Sequence, residues 1–370
     1  SSGAPRWVDI GPAAQINDAL NNWRKALRDP ARTNVNRLAR VLGKRLMQPV
    51  LASIGSAQHL LISPDGPLNL VPFAALVDER DNYLVERYNI SYLTSGRDLL
   101  RLQIPRDNKN ASVVVADPAF GQPALAASRG SLATSRVSNS AGPARLDYSQ
   151  IFFGPLPGVT AEVRALRTIL PKATFLTGEQ ATKSAVRSLS GPTTLHIATH
   201  GFFLQEVGDN SEKPGMRTEA TRIGRWVARV DNPLLRSGLA LAGANNAGED
   251  GVLTALEAAG LDLWGTRLVV LSACDTGIGE VKNGDGVYGL RRALVLAGAE
   301  SQVMSLWPVS DRSTAQLMTG YYKSLTAGKG RGEALRQVQL QMLRETTHRH
   351  PYYWASFIQS GEWANLQGIR

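Results

Sequence analysis

The sequence predicts an α/β fold with a mostly parallel central sheet, covered by helices on both faces. Short apolar runs, typical of buried strands, alternate with segments of helical periodicity along the 370 residues. Apolar residues make up 43% of the chain, enough for a large core, and charged residues only 19%, which argues against disorder. Because functional groups of such sheets collect at the carboxyl ends of strands, we look for chemistry there.

The amino-terminal part of the chain begins with helical periodicity. Residues 14–54 place apolar side chains three to four positions apart, with an interruption at Pro30. Two short apolar runs, 60–63 and 88–93, predict strands, and a short helix is expected at 95–102.

From residue 110 onward, strands and helices alternate regularly. Strands are predicted at 112–116, 173–176, 194–200, 267–274 and 302–307. Helices are predicted at 158–170, after Thr182, and at 253–259, 288–296, 313–325 and 332–345. In the first of these, Thr160 is the expected N-cap and Glu162 an acidic residue of the first turn. Two stretches rich in small and polar residues, 121–150 and 205–234, are predicted to be surface loops.

Composition excludes several functional classes. The single cysteine, Cys274, rules out an intramolecular disulfide framework and a cysteine-rich zinc site, and it fits a cytoplasmic protein. No apolar stretch reaches the length of about eighteen residues that a membrane span requires. The net charge is +10, but the basic residues are scattered and not interleaved with aromatic ones, so nucleic acid is not the expected partner.

Two residues that can act together stand at the ends of apolar runs. His200 and Cys274 each end a predicted strand, and each is followed by a turn that contains glycine. Adjacent parallel strands lie about 5 Å apart and would bring both side chains to one edge of the sheet. There the imidazole can take the thiol proton, and the N–H groups of Gly201 and Cys274 can bind an oxyanion. The alternative is that Cys274 is only a small buried apolar residue.

The segments around these residues resemble a known family. Residues 195–201 (LHIATHG) and 268–277 (LVVLSACDTG) resemble the two catalytic signatures of CHAT-domain peptidases, caspase-like proteins often joined to tetratricopeptide repeats and similar to separases. Further matching segments follow in order along the chain: 64–76, 297–299, 305–311 and 351–357.

The resemblance implies a caspase–haemoglobinase fold, which is a three-layer sandwich around a mostly parallel sheet. It implies a His200/Cys274 dyad that needs no metal or other cofactor. It also implies a degenerate, protease-like amino-terminal subdomain at 1–108, before an active peptidase domain at 109–370. The implied activity is that of a cysteine endopeptidase.

Several residues are candidates for the pocket that reads the substrate. In some relatives an acid stands two residues before the cysteine, but here that position is Ser272. The resemblance favours Asp311 as the pocket acid, with Asp275 second, so we expect cleavage after Arg, with Lys as second choice. Trp307 is either a wall of the substrate groove or a core residue.

Other interpretations remain open from the sequence. His196 lies four residues before His200, but Ile197 stands where a zinc helix would carry glutamate, so a buried structural role is expected. The expected partners are a protein substrate and a regulatory protein or amino-terminal helical-repeat region, which the family implies. Arginines at 217, 222, 225 and 229 would allow self-cleavage of the 205–234 loop. A catalytically silent caspase-like scaffold is the main alternative, and a nucleic-acid-regulated module is the second.

Overall fold

The computed structural model describes residues 4–368 except 105, 107, 109, 123–147, 149–150, 204–231, 247–249 and 273–284. Most of the two predicted surface loops, including the four loop arginines, lies outside the described residues. So do Cys274 and Asp275.

The described strands form one large and one small sheet. They are β1 (His59–Ile62), β2 (Asn89–Tyr92), β3 (Val113–Pro118), β4 (Thr174–Gly178), β5 (Thr194–Ala198), β6 (Gly201–Phe203), β7 (Ser237–Ala240), β8 (Val252–Thr254), β9 (Leu268–Leu271), β10 (Ser301–Ser305) and β11 (Phe357–Gly361). The large sheet has the order β1-β2-β11-β10-β9-β5-β3-β4, and β6, β7 and β8 form the small antiparallel sheet.

The large sheet is mostly parallel, as predicted. Among its described pairings only β10–β11 is antiparallel. Strands β10, β9, β5, β3 and β4 therefore end at one edge of the sheet, whereas β11, β2 and β1 end at the opposite edge. The carboxyl ends of β5 and β9, which lead to His200 and Cys274, share the first edge.

Helices connect the strands. The described α-helices are Ala13–Leu27, Val35–Leu46, Gln48–Ile54, Leu84–Arg87, Asp98–Arg101, Val159–Ile169, Lys183–Arg187, Ala255–Ala258, Asp285–Leu296, Asp311–Thr326, Arg331–Arg344 and Pro351–Trp354. Short 3₁₀ helices span Gly66–Leu70, Phe73–Ala75, Pro233–Leu235 and Thr346–His348.

The large sheet is covered on both faces. On β5, His196 contacts Tyr322 of the helix Asp311–Thr326 on one face. On β10, the side chain of Gln302 donates to the carbonyl of Arg291 in the helix Asp285–Leu296. The strand register puts Gln302 on the face opposite to His196, since His196 and Val303 are both partners of Val270. The architecture is helix–sheet–helix, which confirms the predicted three layers.

Local differences from the prediction have identifiable causes. The predicted N-cap Thr160 is wrong, because the helix already begins at Val159 and its N-cap is Gly158, whose N–H donates to Asp311 from outside the helix. The predicted cap at Thr182 is confirmed, since its hydroxyl accepts from the N–H of Ala185. The predicted helix 253–259 is shorter, because residues up to Thr254 pair in β8.

Residues 1–108 contribute two strands to the large sheet. Strand β2 pairs with β11, and β1 pairs with β2, so the segment adds to one edge of the sheet. The expected domain boundary between residues 108 and 109 stays a prediction. Within the described ranges, no helix combines the length and the apolar character needed to cross a membrane.

Candidate active site

The two strands that precede His200 and Cys274 in the sequence are neighbours in register. Ile197 on β5 is the partner of Leu271 on β9, and the N–H of Ser272 donates to the carbonyl of Ile197 at 3.0 Å. His200 lies three positions after Ile197, and Cys274 lies three positions after Leu271. Both residues of the expected dyad are therefore equally far along the chain from a shared rung of the sheet.

His200 is buried and its ring is held by a carbonyl group. The imidazole is 7% exposed, and its Nε2 lies 2.7 Å from the carbonyl oxygen of Gly154. Because a carbonyl oxygen only accepts, Nε2 carries the proton in this hydrogen bond. In the neutral ring Nδ1 is then the basic nitrogen, as a general base requires.

Aromatic side chains pack around this ring. The ring centroids of Phe120 and Phe153 lie 5.2 and 5.8 Å from that of His200. Phe153 also contacts Phe202, the second residue of β6. These phenylalanines belong to a small apolar cluster separate from the main core. They limit the orientations that the imidazole can adopt, and nothing in the spacing of the sequence indicated them.

Gly201 begins the edge strand of the small sheet. Its partner on β7 is Leu239, and the N–H of Ala240 donates to the carbonyl of His200 at 2.9 Å. Bonded and non-bonded pairs alternate along an antiparallel ladder, so the Gly201–Leu239 pair is of the non-bonded kind. The N–H of Gly201 consequently points away from β7.

A cavity of about 140 Å³, lined by both polar and apolar groups, lies at the ends of β9 and β10. It is bounded by the first turns of the helices Val159–Ile169 and Asp311–Thr326. Among the residues that the structure describes, two carboxylates and three hydroxyl groups line it, and none of these lining side chains is basic. The lining residues are Leu156, Gly158, Val159, Glu162, Ser272, Ser305, Pro308, Val309, Asp311 and Thr314.

Asp311 is the first residue of its helix, where the helix dipole favours a negative charge. Its Oδ2 accepts the N–H of Gly158 at 2.9 Å. A Cβ at Gly158 would lie only 1.7 Å from the Cβ of Asp311, so a side chain at that position would displace the carboxylate. Glycine at 158 therefore lets the two helix starts approach and brings Asp311 to the cavity.

Glu162 is the second carboxylate of the cavity and is only 2% exposed. Its Oε2 accepts from the hydroxyl of Ser272 at 3.2 Å. Its Oε1 lies 3.0 Å from Nε2 of His196, at an angle that does not meet hydrogen-bond geometry, so this contact is electrostatic. The sequence indicated Glu162 only as an acidic residue of a first helical turn, and its place in the cavity was missed.

His196 connects this carboxylate to the opposing helix. The residue is fully buried, which confirms the expected structural position, and its Nδ1 lies 3.0 Å from the hydroxyl of Tyr322. Burial, aided by Tyr321 and Glu162, raises the pKa of Tyr322 well above its ordinary value. The hydroxyl stays protonated and can donate to Nδ1, which leaves the ring proton on Nε2, facing Glu162.

Comparison with known proteins decides the family. A family model described as "CHAT domain" matches residues 36–362. The chain belongs to the CHAT domain family. The match includes the segments with His200 and Cys274, and it confirms the resemblance inferred from the sequence.

The CHAT domain also matches curated relatives that are much longer. It is 26% identical over 322 residues to Tetratricopeptide repeat protein 28 of Homo sapiens and 25% identical over 335 residues to that of Mus musculus. In both comparisons the match covers 83% of this chain and 12% of the relative, so the chain spans about an eighth of their length.

Solved structures similar to this CHAT domain include two gingipain structures. The Arg-specific cysteine proteinase gingipain R aligns with a TM-score of 0.44 and 8% identity, over 95% of this chain and 74% of the other. A complex of the pro- and mature domains of Porphyromonas gingivalis RgpB aligns with a TM-score of 0.43 and 10% identity, over 95% and 77% of the two chains.

Of the candidate pocket residues of the CHAT domain, some line the cavity and others do not. Ser272 and Asp311 line the same cavity. Trp307 is 3% exposed, does not line it, and donates from Nε1 to the carbonyl of Tyr352 at 3.2 Å. That placement matches the core position which the sequence left open for Trp307. Asp275 lies outside the described residues.

Proposed function

We propose that this CHAT domain is a cysteine endopeptidase that cuts a protein partner after Arg, with Lys as second choice. The supporting observation is the register of β5 and β9, which leads His200 and Cys274 away from one rung of the sheet over equal lengths of chain. A thiol and an imidazole at neighbouring strand ends form the minimal equipment for covalent acyl transfer.

His200 is the general base in this proposal. The carbonyl of Gly154 holds Nε2–H, so Nδ1 takes the proton of the Cys274 thiol. The thiolate then attacks the scissile carbonyl carbon, and the C–S bond forms as the carbonyl π electrons move to oxygen. The enclosing rings of Phe120 and Phe153 keep the imidazole in place while it carries the proton.

The oxyanion of the tetrahedral intermediate binds the N–H groups of Gly201 and Cys274. The N–H of Gly201 supports this role because it points away from the β6–β7 ladder. The intermediate collapses, the C–N bond breaks, and the leaving amine takes the proton from His200. Water, deprotonated by His200, then attacks the thioester and releases the carboxylic acid product and the free thiol.

The cavity lined by Ser272 and Asp311 is the proposed pocket for the side chain before the scissile bond. Cys274 is two residues from Ser272, so peptide geometry limits the distance between their Cα atoms to about 7 Å. The described residues that line the pocket include carboxylates and hydroxyls and no basic side chain, which favours a cationic substrate residue. Asp275, beside the nucleophile, remains the second candidate for reading that residue.

Regulation is proposed to come from outside the peptidase. The matched relatives carry tetratricopeptide repeats in their name and extend far beyond the matched segment. We infer that an attached repeat region or a separate regulatory protein controls access of the protein substrate to the dyad.

The test is hydrolysis of fluorogenic peptides that end in Arg, Lys, Asp or Leu before the leaving group. The proposal expects hydrolysis of the Arg peptide, weaker hydrolysis of the Lys peptide, and loss of both in Cys274→Ala. His348→Asn, which changes a histidine remote from His200 in the sequence and outside the cavity lining, is the control and should keep wild-type rates. Hydrolysis by Cys274→Ala at the wild-type rate would contradict the proposed His200/Cys274 dyad.

A further inference from the structure

We propose that Glu162 is the specificity-determining carboxylate of the pocket, and that it binds the substrate guanidinium together with Asp311. The inference rests on the proposed function and deepens it, since it names a residue that sequence reasoning did not assign to the site. It also predicts that the pocket distinguishes Arg from Lys and from neutral analogues of Arg.

The Glu162 carboxylate is unusually buried for an acid. A buried carboxylate is stable only when hydrogen bonds or opposite charges compensate for the loss of hydration. Glu162 has one hydroxyl donor, Ser272, and a contact with His196 that lacks hydrogen-bond geometry. Among the described residues no donor meets its Oε1 in hydrogen-bond geometry, and none of the described side chains that line the cavity is basic. A cationic group in the cavity would supply what the carboxylate lacks.

The two acids of the cavity come from separate helices. Glu162 enters from the first turn of the helix Val159–Ile169, and Asp311 enters from the start of the helix Asp311–Thr326. The bond from Gly158 N–H to Asp311 ties these two helix starts together. Two carboxylates fixed on separate helices can accept from different N–H groups of one planar guanidinium, which carries five donors.

Buried side chains hold the Glu162 carboxylate on the side remote from the cavity. His196 and Tyr322 form a buried chain of contacts that fixes the far side of the carboxylate. His196 lies on β5, the strand that leads to His200, and Ser272 directly follows β9, the strand that leads to Cys274. The pocket acid is therefore tied to both strands of the dyad, so a bound guanidinium would hold the scissile bond in register with the catalytic groups.

The chemistry of the cavity favours Arg over Lys and over citrulline. An ammonium group is a compact point charge with three donors, and it lacks the rigid planar fork of five donors that a guanidinium presents to two carboxylates held on separate helices. Citrulline has nearly the shape of Arg but no charge, and it would leave two carboxylates uncompensated. We expect the ratio of kcat/KM for Arg over citrulline peptides to exceed about 100-fold, and that for Arg over Lys to be about 10-fold.

The experiment measures kcat/KM of Glu162→Gln on matched Arg, Lys and citrulline peptides. The variant should lose about 10- to 100-fold on the Arg peptide and less than about 3-fold on the citrulline peptide. Asp311→Asn should also lower the ratio of kcat/KM for the Arg peptide over that for the citrulline peptide. Glu179→Gln, the same substitution at an exposed glutamate outside the cavity lining, is the control and should leave all three rates unchanged.

A binding measurement separates this inference from the endopeptidase proposal. Calorimetry of Cys274→Ala with agmatine, a guanidinium compound, needs no catalysis and should detect binding that Glu162→Gln/Cys274→Ala loses. If the wild type binds agmatine but hydrolyses no peptide, the endopeptidase proposal fails while the guanidinium pocket stands. If Glu162→Gln does not fold, the wild type still decides, because equal rates on Arg and citrulline peptides, or no preference for agmatine over butylamine, overturn the inference.

Discussion

Ile197 and Leu271 are register partners on adjacent parallel strands, and each is followed three residues later by a residue of the proposed dyad. This relation gives the sequence motifs a physical meaning. Strands that run in parallel and end together deliver the following residues to one edge of the sheet. The same edge carries the cavity with Glu162 and Asp311.

Replacement of His200 by alanine should slow alkylation of Cys274 by iodoacetamide near neutral pH. Without the imidazole, the thiol loses the group that takes its proton, so less thiolate is available for alkylation. Peptide hydrolysis should fall about 100- to 10,000-fold. The measurement is the pH dependence of the alkylation rate, and identical profiles for the variant and the wild type would contradict the role of His200.

Replacement of Phe153 by leucine should lower kcat more than it changes KM. The smaller side chain loosens the packing against His200, whose orientation then fits the thiol less well. Misplacement of a catalytic group by about 1 Å can reduce the rate about 100-fold. Phe175→Leu, at a half-buried phenylalanine on β4, is the matched control. Equal loss of kcat in both variants would assign the effect to general destabilisation.

Replacement of Arg331 by methionine should destabilise the fold by about 3–5 kcal/mol. The guanidinium is 1% exposed, donates to the carbonyls of Arg267 and Ala364, and lies 3.4 Å from Oε2 of Glu300. Its removal leaves a half-buried carboxylate and three carbonyls, the third that of Asn365, without this donor. Urea denaturation should show the loss, while Arg344→Met, at an exposed position of the same helix, should stay within about 0.5 kcal/mol of wild type.

Replacement of Glu257 by glutamine should make the stability of the fold depend less on pH in the acid range. Burial alone would raise the pKa of Glu257, but hydrogen bonds from Lys183 and Thr254 outweigh it and hold the pKa below its ordinary value of 4.5. A carboxyl whose folded pKa is lowered adds stability above its unfolded pKa, and this gain disappears as the pH falls through the folded pKa.

The difference in Tm between wild type and Glu257→Gln should therefore be largest near pH 7 and shrink as the pH falls below 4.5. Thermal melts at several pH values on either side of 4.5 provide the measurement. A difference that stays constant over this range would show that ionisation of Glu257 does not contribute. Glu179→Gln serves as the exposed control.

The central strands were predictable because their apolar runs are continuous. Strands β5, β9 and β10 lie within the predicted ranges or differ by one residue at an end, since parallel strands buried on both faces leave a clear apolar pattern. Strands β6, β7 and β8 were missed because they are only three or four residues long and follow or precede turns. Strand β11 was missed because it carries two buried polar residues, Gln359 and Ser360, whose side chains donate to the carbonyls of Glu362 and Tyr92.

The candidate site was predictable only where motifs mark it. Ser272 and Asp311 were identified by their place in the family pattern, and the structure puts both in one cavity. Glu162 could not be found this way, because its burial depends on Ser272, 110 positions away, and on a histidine of another strand. The role of the Gly154 carbonyl could not be predicted either, since every residue has a backbone carbonyl and the residue type does not indicate which one contacts His200.

The most direct test of the account is covalent labelling with a peptide electrophile, a fluoromethyl ketone that carries Arg next to the reactive group. Mass spectrometry of the wild-type chain should find one equivalent attached to Cys274, with loss of hydrolysis of the Arg peptide, and the matched Asp reagent should label far more slowly. His200→Ala should strongly slow the labelling. An unlabelled Cys274 after prolonged incubation, in a chain that hydrolyses no Arg peptide, would contradict the endopeptidase and favour a silent scaffold.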